Sequence, residues 1–171
     1  IPNFNIFDTP GILIKKNLKN YFKTTKIFNF LISKINCFLY VIDYNSIFDL
    51  IDNDFINELR KFDIEILLLI NKFDNFKIIP NHEFNKYGID NVFFLSCSHN
   101  YGFKLLNNYF KDKFTNKYNF VKKHDFSLAI FGKPNSGKST FLNTILGYER
   151  SVTSSLSGTT SDIVEDYFIF K

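Results

Sequence analysis

The stretch "SLAIFGKPNSGKSTFLNTILG" at 127–147 constrains this chain more than any other. An apolar-rich run at 127–131 reads as a strand. Gly132, Lys133, Pro134, Asn135, Ser136, Gly137, Lys138, Ser139 and Thr140 follow at once, and a helical pattern continues to Leu146 with Gly147 as its stop. The spacing G-x-x-x-x-G-K-[ST] between a strand and a helix is a phosphate-binding loop. Gly132 and Gly137 let the backbone curl until its N–H groups point at phosphate oxygens, and the helix N-terminus adds favourable partial charge. Lys138 is expected to reach the β- and γ-phosphates and Ser139 to hold Mg²⁺ through its hydroxyl.

Periodicity places the rest of the chain around that unit. Strands are expected at 4–7, 37–43, 64–70, 92–96 and 163–170. Helices are expected over a segment with Phe28, Leu31, Ile32 and Ile35 on one face, at 49–62 with Leu50, Ile51, Phe55, Leu59 and Phe62 inward, around 81–87, and at 102–114. Residues 151–162 read as a polar loop. Residues 115–125 lack a clear period, and the linker is placed at 119–125, between a unit at 1–118 and another at 126–171. Strands that are largely continuous apolar runs, alternating with helices, predict an α/β fold with a mostly parallel sheet covered on both faces.

Three further motifs follow predicted strands. "DTPG" at 8–11 places Asp8 for the Mg²⁺ shell and the Gly11 N–H for the γ-phosphate, with Thr9, Pro10 and Ile12 beside them. "NKFD" at 71–74 offers Asn71 to brace the loop, the stem of Lys72 to pack on a base beside Phe73, and Asp74 as an acceptor. A carboxylate accepts from both N1–H and the 2-amino group of guanine; adenine has no such donor pair on that edge, so Asp74 selects guanine. "SCS" at 96–98 brings Ser96 and a backbone N–H, that of Cys97, toward guanine O6, and "GTT" at 158–160 supplies a hydroxyl, that of Thr160, for Mg²⁺ and the γ-phosphate.

Together these motifs resemble a translation-factor-type GTPase, and "GKPNSGKSTFLNTILGYERSVTSSLSGTTSD" resembles the Era, MnmE and Der (EngA) group. In that group the loop typically reads G-x-P-N-V-G-K-S and the switch G-T-T-R-D; Ser136 stands here for Val and Ser161 for Arg. The family order is phosphate loop, GTT, DxxG, NKxD, SA, whereas this chain runs DxxG, NKxD, S-C, phosphate loop, GTT. A window from the middle of the first G domain to the middle of the second in the tandem Der family gives that order. The resemblance implies a P-loop GTPase fold and GTP hydrolysis in large-subunit ribosome biogenesis, with rRNA or the subunit as partner. It also implies that Asn135 helps hold K⁺ near the β- and γ-phosphates, in place of an arginine finger. Ile12 stands where Ras-like proteins have a catalytic glutamine, so turnover would rest on Lys138, Asn135, Thr160, the ions and backbone groups.

Two other readings remain open: a circularly permuted single GTPase, and a module that holds nucleotide without turning it over. The expected strands at the two chain ends are those that pair as a hairpin in a G domain, so the piece can assemble as one permuted domain. The chain has no methionine and begins inside an expected strand, which suggests a fragment.

Composition adds little. The abundance of Phe, Ile, Asn and Lys fits A/T-rich codons, and the formal charge of +4 allows a nucleic-acid partner or a lysine-coated surface. The basic run at 14–26 is open to both readings. Cys37 lies in an apolar run that reads as core; with Cys97 as its only companion there is no disulfide framework, which favours a reducing compartment: cytoplasm, or the matrix or stroma of an organelle. Cys97 and His99 are too few to make a metal site. No membrane span is expected, and the chain is expected to be monomeric.

Overall fold

A computed structural model describes residues 3–9, 32–46, 50–77, 80, 82–115, 126–148 and 164–169. Six strands appear among them: β1 (Asn3–Asp8), β2 (Cys37–Asp43), β3 (Glu65–Asn71), β4 (Val92–Phe94), β5 (Phe126–Phe131) and β6 (Val164–Ile169). They form one sheet in the order β4-β3-β2-β5-β1-β6. β1 to β5 are mutually parallel, and β6 runs antiparallel to β1. The helices are α1 (Leu50–Leu59), α2 (Phe103–Thr115) and α3 (Lys138–Leu146); single 3-10 segments span Arg60–Phe62 and His82–Tyr87.

The expected hairpin of the two chain ends is present as the β1–β6 ladder, from Asn3 opposite Ile169 to Asp8 opposite Val164. The strand that carries the phosphate loop, β5, lies in the middle of the sheet between β2 and β1. Both parts of the chain therefore build a single P-loop GTPase fold in permuted order.

Strand alternation sorts the core into two layers. Along β2, Cys37, Leu39 and Val41 face α2 and α3, joining Phe103, Leu106, Phe110, Phe141 and Leu142. Phe38, Tyr40 and Ile42 face the other way, joining Phe55, Ile56 and Leu59 of α1 with Phe84 and Tyr87. Burying both faces of the central strands is what their unbroken apolar runs require.

Three expectations need correction. The inward face of α1 is rotated: Leu50 and Ile51 are 71% and 40% exposed and Phe62 is also exposed, while Asp52, at 2%, is buried beside Phe55, Ile56 and Leu59. The 81–87 helix is a 3-10 segment. The strand expected at 92–96 ends at Phe94, and Ser96 instead makes an antiparallel bridge with Tyr101 that returns the chain into α2. Ile35 is buried as expected. The basic run at 14–26, Phe28, Leu31, the linker at 119–125 and the 151–162 loop lie outside the described residues.

Both cysteines are buried and free. Burial raises the Cys37 thiol well above its ordinary value, with Glu65 adding to the effect, and burial pushes Cys97 up to about 12 against a hydrogen bond with Thr144. A raised thiol pKa keeps both groups protonated up to alkaline pH, and only the thiolate is nucleophilic. Neither cysteine is expected to react with a thiol reagent at pH 8 until the chain is denatured; titration with Ellman's reagent before and after adding guanidinium checks this.

Candidate functional site

The carboxyl ends of β5, β1, β2 and β3 open on one edge of the sheet, where ligands of open α/β folds bind. After β5 the chain turns through Gly132 to Gly137 into α3. The turn is pressed against its neighbours so closely that side chains are excluded at two points. A Cβ on Gly132, at φ 149°, would lie 2.2 Å from the Val41 carbonyl oxygen, and one on Gly137, at φ 92°, 2.1 Å from Asn71 Nδ2. Asn135 also has a left-handed backbone, at φ 63°.

Lys138, at the first position of α3, is 6% exposed, and its ammonium donates to the Lys133 carbonyl at 3.0 Å. Burial lowers its pKa, and the nearby Asp8 carboxylate partly restores it. A cation aimed across a loop of N–H groups is the arrangement an anion would find.

Ser139 Oγ donates to Asp8 Oδ2 at 2.9 Å, joining the phosphate loop to the end of β1. A hydroxyl and a carboxylate oxygen side by side are hard donors of the kind that hold Mg²⁺. Thr9 turns the other way and donates to the Ile130 carbonyl at 2.7 Å, bracing β1 against β5. The Ser136 hydroxyl is buried without a hydrogen-bond partner among the described residues, which fits a position where the family usually has Val. Pro10, Gly11, Ile12 and Thr160 lie outside the described residues.

Asn71, 3% exposed, joins three loops. Its Nδ2 donates to the Ser136 carbonyl at 3.1 Å, and its Oδ1 accepts from the Cys97 N–H at 3.2 Å. Its own carbonyl accepts from the Tyr44 N–H at 2.8 Å. Lys72, at φ 62°, pairs with Asp43 Oδ2 at 2.6 Å. Phe73 is buried, its N–H donating to the Leu95 carbonyl, and its ring packs edge-on against Tyr44 and Phe94.

Asp74 is exposed at the mouth of the site, with Oδ1 held from one side. Ser96 Oγ donates to it at 2.6 Å, and His99 Nδ1 lies 3.4 Å away and 2.9 Å from Ser96 Oγ. Sequence reasoning missed Asp43 and weighed His99 only as a metal ligand. Asp43 ends β2 on the ligand-binding edge, a position that the strand-end rule could have flagged. Among the described residues no group of three or more His, Cys, Asp or Glu could hold a metal ion, and no helix is long and apolar enough to cross a membrane.

Comparison with known proteins agrees with this geometry. Residues 127–170 match a family described as "50S ribosome-binding GTPase". GTPase Der of Borrelia garinii subsp. bavariensis is 34% identical over 95% of this chain, and that of Karelsulcia muelleri 32% identical over 95%. The chain spans only 37% and 38% of the length of these relatives. The crystal structure of YjeQ from Thermotoga maritima superposes with a TM-score of 0.50 at 17% identity, over 73% of this chain and 46% of that one, which is a likeness of fold. With its motifs in the order that the tandem arrangement gives and relatives of one name matching about 95% of it at 32–34% identity, the chain is consistent with part of a GTPase of the Der family.

Proposed function

We propose that the protein carrying this chain binds GTP with Mg²⁺, hydrolyses it, and acts on the large ribosomal subunit or its rRNA. The observation that carries the nucleotide reading is Asn71. One buried amide joins the phosphate loop to the Cys97 turn, so the groups for phosphates and those for a base belong to one pocket. Residues 1–118 and 126–171 are read as parts of successive G domains joined by the 119–125 linker. The described parts of both enter one sheet here.

In this reading Asp74 accepts from guanine N1–H and the 2-amino group, the Lys72 stem covers one face of the base, and the Cys97 N–H is shared between Asn71 and O6. Lys138 exchanges the Lys133 carbonyl for the β- and γ-phosphate oxygens; its low exposure makes that charge more effective than it would be in water. Gly132 to Thr140 line the phosphates. Asp8, Ser139 and Thr160 would hold Mg²⁺, which supplies charge neutralisation on the β- and γ-oxygens. Asn135, exposed on its left-handed turn, would offer its amide oxygen to K⁺. Gly11 would meet the γ-phosphate through its N–H, flanked by Thr9, Pro10 and Ile12. The ribosomal partner rests on the family description, and the reducing, cytoplasmic or organellar location on the two free cysteines; the monomeric state is part of the same proposal.

Turnover of GTP by the full-length protein in matched K⁺ and Na⁺ buffers tests the reading. Faster release of phosphate in K⁺ is expected. Equal rates would remove the K⁺ role from Asn135, and tight GTP binding with no turnover above background would leave a nucleotide-holding module.

A further inference from the structure

The buried Asp52 has no part in the site described above. It lies on the face of α1 that packs against the sheet, beside Phe55, Ile56 and Leu59, where an apolar side chain would serve the core. A carboxylate taken out of water costs free energy unless charge and hydrogen bonds compensate it, and a buried ion pair is poor evidence of a purely stabilising role. Two partners from separate elements meet it here. The buried Tyr40 of β2 donates its hydroxyl to Oδ1 at 2.7 Å, and the Lys133 ammonium lies 2.9 Å from Oδ2.

Lys133 is the second residue of the phosphate loop, and its two ends serve different groups. Its ammonium reaches outward to Asp52, while its carbonyl faces the loop interior and accepts from Lys138 Nζ at 3.0 Å and from the Ser136 N–H at 3.4 Å. Besides the Ser139–Asp8 bond, the loop is held by Asn71 at Ser136 and by Asp52 at Lys133, and it lies close against the Val41 backbone at Gly132.

We propose that Asp52 is a positioning residue for phosphate binding. With Tyr40 it anchors the Lys133 side chain, and through Lys133 it sets the backbone from which Lys138 and the loop amides address the phosphates. The inference rests on the proposed nucleotide site. It assigns the outer surface of the loop to α1, so that the helix after β2 fixes the receptor for the phosphate chain while the β3 loop fixes the receptor for the base.

The test uses Asp52→Asn, Lys133→Met, Lys133→Arg and the Asp52→Asn/Lys133→Met pair in the full-length protein, with dissociation constants measured for GTP, GDP and inosine triphosphate. Lys133→Met alters a side chain that is 29% exposed, and the double variant also removes the Asp52 charge that the single change leaves buried without its cation. Asp52→Asn and Lys133→Met are each expected to weaken GTP and GDP about tenfold or more, the scale on which a buried charge pair acts. Lys133→Arg, which keeps a cation over Asp52, should recover much of the loss. The double variant should lose no more than the weaker-binding single one, and the GTP-to-inosine-triphosphate ratio should stay constant because base recognition is elsewhere. Unchanged constants in folded variants, additive losses, or a ratio that moves with the affinity would each overturn the proposal. Failure of the unaltered protein to bind GTP would instead overturn the nucleotide site itself.

Discussion

Asp74→Asn is expected to weaken GTP binding by a factor of about a hundred or more and to raise affinity for xanthosine triphosphate. The direction follows from which oxygen is already engaged. Ser96 donates to Oδ1 of Asp74, and an asparagine in the same place would keep its oxygen there and turn its amino group toward the base. That amino group would face the guanine 2-amino group, donor against donor. Xanthine carries a carbonyl at that position and restores the pair. Charge-assisted hydrogen bonds contribute roughly 1.5–3 kcal/mol each, and about 1.4 kcal/mol is tenfold in affinity, so losing them gives the stated factor. Titration of the full-length variant with both nucleotides measures it. A GTP constant that stays where it was would remove Asp74 from the base site.

Asn71→Ala should cost the fold about 2–5 kcal/mol and GTP affinity with it, because two buried partners lose their hydrogen bonds at once. The Ser136 carbonyl and the Cys97 N–H both depend on the Asn71 amide. Asn71→Asp separates the two ties: it keeps the acceptor for Cys97 and sets a carboxylate oxygen against the Ser136 carbonyl, so it should be no milder than alanine. Urea unfolding midpoints, compared at unchanged m-value, give the result. A midpoint within error of the unaltered protein would mean that the loops are held by other contacts.

The proposed nucleotide pocket was legible wherever chemistry demands a fixed local spacing. The two glycines of the phosphate loop, the lysine after the second and the strand before the first are dictated by a short turn, so they stand together in the sequence. The β1–β6 pairing was legible for a different reason, since the order of the motifs already required the chain ends to meet. Asp52 was hidden because helical periodicity ranks residues by polarity. It sent Leu50 and Ile51 inward and the carboxylate outward, while the cation and the hydroxyl that make Asp52 tolerable inside come from the distant phosphate loop and neighbouring β2. His99 was noted beside Cys97 as one of too few metal ligands; its approach to Asp74 depends on the Ser96–Tyr101 bridge, which folds the turn back toward the β3 loop. The rotation of α1 and the shortening of β4 have the same origin, in tertiary partners overriding a local pattern.

The order of the strands also sets an order of assembly. β1 comes first among the described strands, yet its sheet neighbours, β5 and β6, are the last two of them. Between β1 and β2 there is no ladder, so β2, β3 and β4 can pair in sequence while β1 has nothing to join. Contacts between distant parts of a chain carry a high closure entropy and slow the search for the native state. When this segment folds by itself, Phe4, Ile6 and Phe7 of β1 stay open to wrong partners until β5 and β6 pair beside them. The two strands farthest from β1 along the chain, β5 with its phosphate loop and β6, are the ones that close the sheet on either side of it.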